Sequence, residues 1–130
     1  MMTVRAQCLC GELRLIVQGE PDRVGICHCM DCRRHNGAPF NATAIYPASA
    51  VEIIGEARDY GGRCFCPTCG SSTYSHSENE IEISLGAFDE PGTFTPSYEL
   101  WTIRREPWLP DLPTREHHEG DRTPARRAGR

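Results

Sequence analysis

Eight cysteines in 130 residues constrain this chain more than any other feature. They fall at positions 8 and 10, at 27, 29 and 32, and at 64, 66 and 69, so the spacings read CxC, CxCxxC and CxCxxC. Thiols gathered this tightly are either a disulfide framework or a set of metal ligands, and the redox compartment usually decides between them. The opening MMTVRAQCLC lacks the apolar run of roughly 7 to 15 residues that a secretory leader needs, and no later run approaches the roughly 18 residues of a membrane span. The expectation is a cytoplasmic protein with no membrane partner, whose thiols stay reduced and hold metal.

A chain of this length has room for one core and not two. Residues 1–112 carry 9 Arg against 15 Asp and Glu, and an acidic body argues against a nucleic-acid partner bound on a broad basic face. Residues 113–130 form a polar, Arg-rich C-terminal tail without large apolar side chains. Such a segment cannot bury enough surface to fold by itself, so the folded domain is expected to span 1–112 and the tail to be flexible.

Within the domain the pattern is all-β. In the stretch 12–18 (ELRLIVQ), Leu13, Leu15 and Val17 fall on one side and Arg14 and Ile16 on the other, the period of a half-buried strand. Short β-rich runs follow at 42–46, 51–56, 72–76, 80–85 and 97–102, divided by Gly, Pro, Asn and Asp. The one helical turn expected lies near 33–36. These pieces predict small packed sheets built around the cysteine motifs.

The motifs divide by chemistry. Residues i and i+2 of a strand project from one face, so Cys8 and Cys10 offer half a metal site. Cys66-Pro67-Thr68-Cys69-Gly70 offers the other half, because a two-residue gap bends the chain around an ion and Gly70 permits the left-handed turn. Joined, they make a structural zinc site of four cysteines. Cys27, Cys29 and Cys32 supply three more thiolates. Catalytic zinc typically keeps three protein ligands and one open position. A closed site with Cys64 as fourth ligand is the alternative that spacing leaves open.

A resemblance bears on that choice. Cys8-Leu-Cys10-Gly11, Cys27-His-Cys29-Met-Asp-Cys32-Arg33 with Gly37-Ala38, Phe65-Cys66-Pro-Thr-Cys69-Gly70-Ser71, Leu85-Gly86-Ala-Phe-Asp89 and Pro107-Trp108 occur in an order that resembles the glutathione-dependent formaldehyde-activating enzyme family, which includes centromere protein V. The resemblance implies two zinc ions: a structural one on Cys8, Cys10, Cys66 and Cys69, and a catalytic one on Cys27, Cys29 and Cys32. It implies a carbon-sulfur lyase that condenses glutathione, a small-molecule thiol, with formaldehyde, an aldehyde, to S-hydroxymethylglutathione. Cys64 has no counterpart in the family pattern and is expected to be a bystander. The alternative function is a non-catalytic zinc-binding interaction module of the same fold, as in centromere protein V itself. A methionine sulfoxide reductase, a relative in fold, ranks lower, because such reductases use a nucleophilic cysteine late in the chain and here no cysteine follows Cys69.

Other residues receive plainer roles. Arg33 and Arg34 are expected to be solvated surface residues, with a clamp on glutathione's carboxylates as the alternative. His28 is expected to be structural, His35 to be better placed for chemistry, and Asp89 to form a turn. Trp108 is expected to anchor the C-terminal segment by burial, and His117 and His118 to belong to the tail.

Overall fold

The computed structural model describes residues 1–122; residues 123–130, with the RRAGR end of the tail, lie outside the described residues. The strands are β1 (Thr3–Gln7), β2 (Arg14–Gln18), β3 (Arg23–Cys27), β4 (Asn41–Pro47), β5 (Val51–Ile54), β6 (Arg58–Tyr60), β7 (Arg63–Phe65), β8 (Ser72–Ser77), β9 (Glu80–Ser84), β10 (Tyr98–Leu100) and β11 (Glu116–His117). One α-helix, α1 (Met30–Asn36), interrupts them. No helix among the described residues is long and apolar enough to cross a membrane.

The strands form a three-stranded sheet, β1-β2-β5, and an eight-stranded sheet, β11-β10-β3-β4-β9-β8-β7-β6. Alternation in β2 explains how they meet. Leu13, Leu15 and Val17 are completely buried, and they cluster with Ala44 and Tyr46 of β4, Ile81 and Ile83 of β9, and Phe88. Burying side chains of this size contributes roughly 1.5–3 kcal/mol each, which makes this inter-sheet layer the main source of stability. An isolated bridge, Ala6 to Phe88, ties the two sheets together at one point.

The strands expected from alternation are present with shifted ends: β2, β5, β9 and β10 are shorter than expected, and β4 and β8 are longer. β2 begins at Arg14 because residues 11–13 are held in a turn, where the Cys8 N–H donates to the Leu13 carbonyl at 2.9 Å. Sequence reading missed β1, β3, β6, β7 and β11. β6 is exposed along its length and has no apolar period to detect. β3 carries Gly25 mid-strand, and the glycine has a reason: a Cβ there would lie 2.1 Å from Cζ of Tyr98, whose ring covers the position from the parallel neighbour β10.

The expected helical turn is longer than the sequence suggested and starts earlier. Cys29 is the N-cap of α1, and Gly37, at φ 64°, closes it with its N–H bonded to the Arg33 carbonyl at 2.8 Å.

Beyond Leu112 the chain stays on the fold. β11 runs parallel to β10, with Glu116 beside Tyr98 and His117 beside Glu99. What attaches it is polar: backbone bonds from Arg115 to Ser97 and from His118 to Glu99, and the His117 side chain on Glu99. A search for apolar periodicity cannot see such an attachment. Trp108, expected to anchor this region by burial, is 66% exposed and does not do so.

Candidate metal centres

The Sγ atoms of Cys8, Cys10, Cys66 and Cys69 lie within 4.8 Å of one another. Cys8 and Cys10 follow β1, and Cys66 and Cys69 form the turn between β7 and β8, so the cluster joins the small sheet to the large one. The Cys8–Cys10 and Cys10–Cys66 separations, 3.6 and 3.7 Å, are far longer than a disulfide of about 2.05 Å. All eight cysteines are free thiols.

Backbone N–H groups point at these sulfurs. Leu13 N–H donates to Cys8 Sγ at 3.3 Å and Cys69 N–H to Cys66 Sγ at 3.5 Å, while Gly70, at φ 77°, closes the knuckle through a 2.8 Å bond to the Cys66 carbonyl. Ser71 binds its neighbours twice, accepting Leu9 N–H at 2.9 Å and lying 3.2 Å from Cys69 Sγ. Hydrogen bonds from its hydroxyl and its backbone bring the Cys69 thiol down to about 5. Four soft donors, packed without bonding one another and supplied with N–H donors, fit a tetrahedral zinc site by their chemistry.

The second cluster straddles the junction of β3 and α1. Cys27 ends the strand, Cys29 caps the helix and Cys32 lies in its first turn, and their Sγ atoms again lie within 4.8 Å of one another. Cys29 Sγ accepts Cys32 N–H at 3.3 Å. Thiol hydrogen bonds from Cys27 and Cys32, and then the backbone of Cys32 and Asp31, hold the Cys29 thiol far below the usual range. Among the described residues no fourth Cys, His, Asp or Glu joins this group. All three thiols are half-buried and line a cleft of about 510 Å³, within the usual size of small-molecule sites.

Arg33 and Arg34, the arginines next in sequence, do not line that cleft. Arg33 is engaged elsewhere, at 2.5 Å from Glu106 and 2.9 Å from the Arg104 carbonyl. The cleft is lined instead by Arg63 at the start of β7 and by Arg104, neither adjacent to a cysteine triad residue in sequence. His35, in the last turn of α1, lines it too; burial first and the Arg63 charge second push its imidazole below the ordinary range. Asp89 is exposed, and its N–H bonds the Arg5 carbonyl.

His28, between two triad cysteines, is fully buried. Its Nε2 donates to Glu99 Oε1 at 2.8 Å, and its backbone N–H bonds the Leu100 carbonyl at 3.0 Å. Glu99 collects further donors from Thr114 at 3.0 Å, His117 Nδ1 at 2.7 Å and Arg105 Nε at 3.4 Å. Burial pushes this carboxyl up, but the bonds from His28, Thr114 and His117 outweigh it and leave Glu99 below the ordinary carboxylate range. The expected structural role of His28 thus has a mechanism: it pins the triad's loop to β10. His117 serves Glu99.

Cys64 sits away from the triad, buried beside Asp59 and His76. Burial pushes its thiol up to about 11; a hydrogen bond with Tyr74 works against that rise, and the Asp59 charge adds to it.

A solved Rhodobacter sphaeroides protein from a structural-genomics programme shares the fold, with a TM-score of 0.53 at 19% identity over 68% of this chain and 91% of that one. No curated protein matches. Residues 3–104 match the family model described as glutathione-dependent formaldehyde-activating enzyme, a span that holds both cysteine clusters and most of both sheets, and it is to this family that the chain belongs.

Proposed function

We propose that the protein is a zinc-dependent carbon-sulfur lyase that joins glutathione to formaldehyde, forming S-hydroxymethylglutathione in a reducing cytoplasm. The observation that carries this reading is the triad: three thiols gathered on a cleft, with no fourth protein ligand among the described residues. Cys27, Cys29 and Cys32 would hold one zinc ion and Cys8, Cys10, Cys66 and Cys69 another, the second serving the fold alone. Zinc at the triad supplies a Lewis-acidic position that acidifies a thiol and polarises a carbonyl.

The chain's own residues do the rest. Arg63 and Arg104 offer planar guanidinium forks to the two carboxylates of glutathione. His35, on the same cleft, would take the thiol proton, and burial and then the Arg63 charge favour its release. In the reaction the sulfur-hydrogen bond breaks, a carbon-sulfur bond forms at the formaldehyde carbon, and the proton ends on the former carbonyl oxygen. Nothing is oxidised or reduced. The His28–Glu99 bond keeps the loop that carries Cys27 and Cys29 rigid, so little order is lost when substrate arrives.

Exchange NMR on a mixture of glutathione and formaldehyde measures interconversion of free and adduct carbon directly. The protein is expected to raise that exchange rate above the spontaneous one, and Cys29→Ser to return it to the spontaneous rate. A parent protein without effect would leave the non-catalytic zinc-binding module as the better description.

A further inference from the structure

Three strands at one end of the large sheet place a third ligand set on a single face. Asp59 of β6 lies directly opposite Cys64 of β7, and Cys64 lies opposite Tyr74 of β8. His76, two residues past Tyr74, projects from the same side as Tyr74. One ligand atom from each of Asp59, Cys64 and His76 lies within 4.8 Å of the others. Asp59 Oδ2 is the common point, accepting from His76 Nε2 at 2.5 Å and from Cys64 Sγ at 3.7 Å. The other oxygen, Oδ1, accepts Gly62 N–H at 2.7 Å, which fixes the direction of the carboxylate. Gly62, at φ +90°, is required for this closure, because a Cβ there would lie 2.7 Å from the His76 carbonyl oxygen.

We infer that Asp59, Cys64 and His76 form a third metal site, separate from both cysteine clusters, that takes a divalent cation of the zinc class. The donor set decides the class: sulfur and imidazole nitrogen are poor ligands for calcium or magnesium and good ones for zinc or cobalt. A carboxylate oxygen that collects protons from a thiol and an imidazole stands where one cation replaces both, since binding to such ligands releases their protons. A nucleophilic cysteine is the competing use of these residue types, and the geometry opposes it. His76 Nε2 is directed at Asp59 and not at the sulfur, so no imidazole activates the thiol, and the carboxylate that the thiol does meet, Asp59, is already occupied in accepting from His76 and from Gly62 N–H. The side chains of His76 and Asp59 are 48% and 43% exposed, which gives an ion its entry path. His76 also lines the triad's cleft, so an ion here adds positive charge at the rim of that cleft.

The test compares metal content between variants. Parent protein, His76→Gln and Asp59→Asn are dialysed against Zn(II), cleared of loose ion and weighed by native mass spectrometry. Each variant is expected to carry one ion fewer than the parent. Because both changes fall on half-exposed side chains, the fold survives them, and circular dichroism verifies this. With Co(II) in place of zinc, the parent-minus-His76→Gln spectrum is expected to contain a thiolate-to-metal absorption band from Cys64. Equal metal content in parent and variants, or a difference spectrum without a sulfur band, overturns the inference. The readout is a difference, so it holds whatever the other clusters bind and whether or not the protein turns over glutathione.

Discussion

Gly25→Ala tests whether the parallel seam between β3 and β10, against which the triad's strand is set, is packed as described. The added Cβ would lie 2.1, 2.2 and 2.6 Å from Cζ, Cε2 and Cε1 of Tyr98. Carbon atoms in contact sit about 3.5–4.0 Å apart, so the ring must retreat by at least about 1.4 Å. Overpacking a close-packed interior costs about 1–3 kcal/mol, and a clash with three ring atoms belongs at the upper end. Alanine restricts the unfolded chain and returns about 0.4–1 kcal/mol. The net loss is about 2 kcal/mol, which lowers the midpoint of thermal unfolding by roughly 6–10 °C in a domain of this size. Calorimetry on Gly25→Ala, Tyr98→Leu and the double variant resolves the cause. Leucine lacks the clashing ring atoms, so Gly25→Ala in that background is expected to cost nothing or to stabilise. Additive losses in the double variant would refute the packing argument, since residues that clash must couple.

Other expectations concern the two clusters and the buried carboxylate. Cys69→Ser is expected to cost several kcal/mol and give insoluble protein, because structural zinc binding is folding free energy. Cys29→Ser is expected to stay folded within about 1 kcal/mol, since serine is itself a good N-cap for α1, and thermal melts of the two separate these roles. Glu99 is held below its ordinary value of 4.5, so its stabilising contribution is complete above that pH and is lost as the pH falls through the lowered folded value. Melts between pH 6 and 3 are therefore expected to show a shallower acid slope for Glu99→Gln than for the parent; equal slopes would remove Glu99 from the account.

Much of this was legible in the residues. Alternation exposed β2 because Leu13, Leu15 and Val17 face a real core, and spacing together with the family resemblance grouped seven cysteines into the two clusters that the fold assembles. What escaped is long-range and polar. Nothing near His28 announces Glu99, 71 residues away, and β11 attaches through backbone and histidine bonds rather than through apolar burial. The cleft arginines follow the same logic. Arg33 looked suited to a carboxylate clamp by adjacency but is paired with Glu106, while Arg63 reaches the cleft only because β7 folds beside it. Cys64 opens the second CxCxxC, yet that spacing does not reveal its companions, because Asp59 and His76 come from neighbouring strands.

The central claim is that Cys27, Cys29 and Cys32 hold a metal with one position left for substrate. Glutathione titrated into cobalt-substituted His76→Gln protein, watched in the near-ultraviolet, tests it with the Asp59–Cys64–His76 set disabled. A thiolate-to-metal band that grows with glutathione and saturates is the predicted result. A spectrum unchanged at saturating glutathione would mean a closed triad site and would contradict the proposed chemistry.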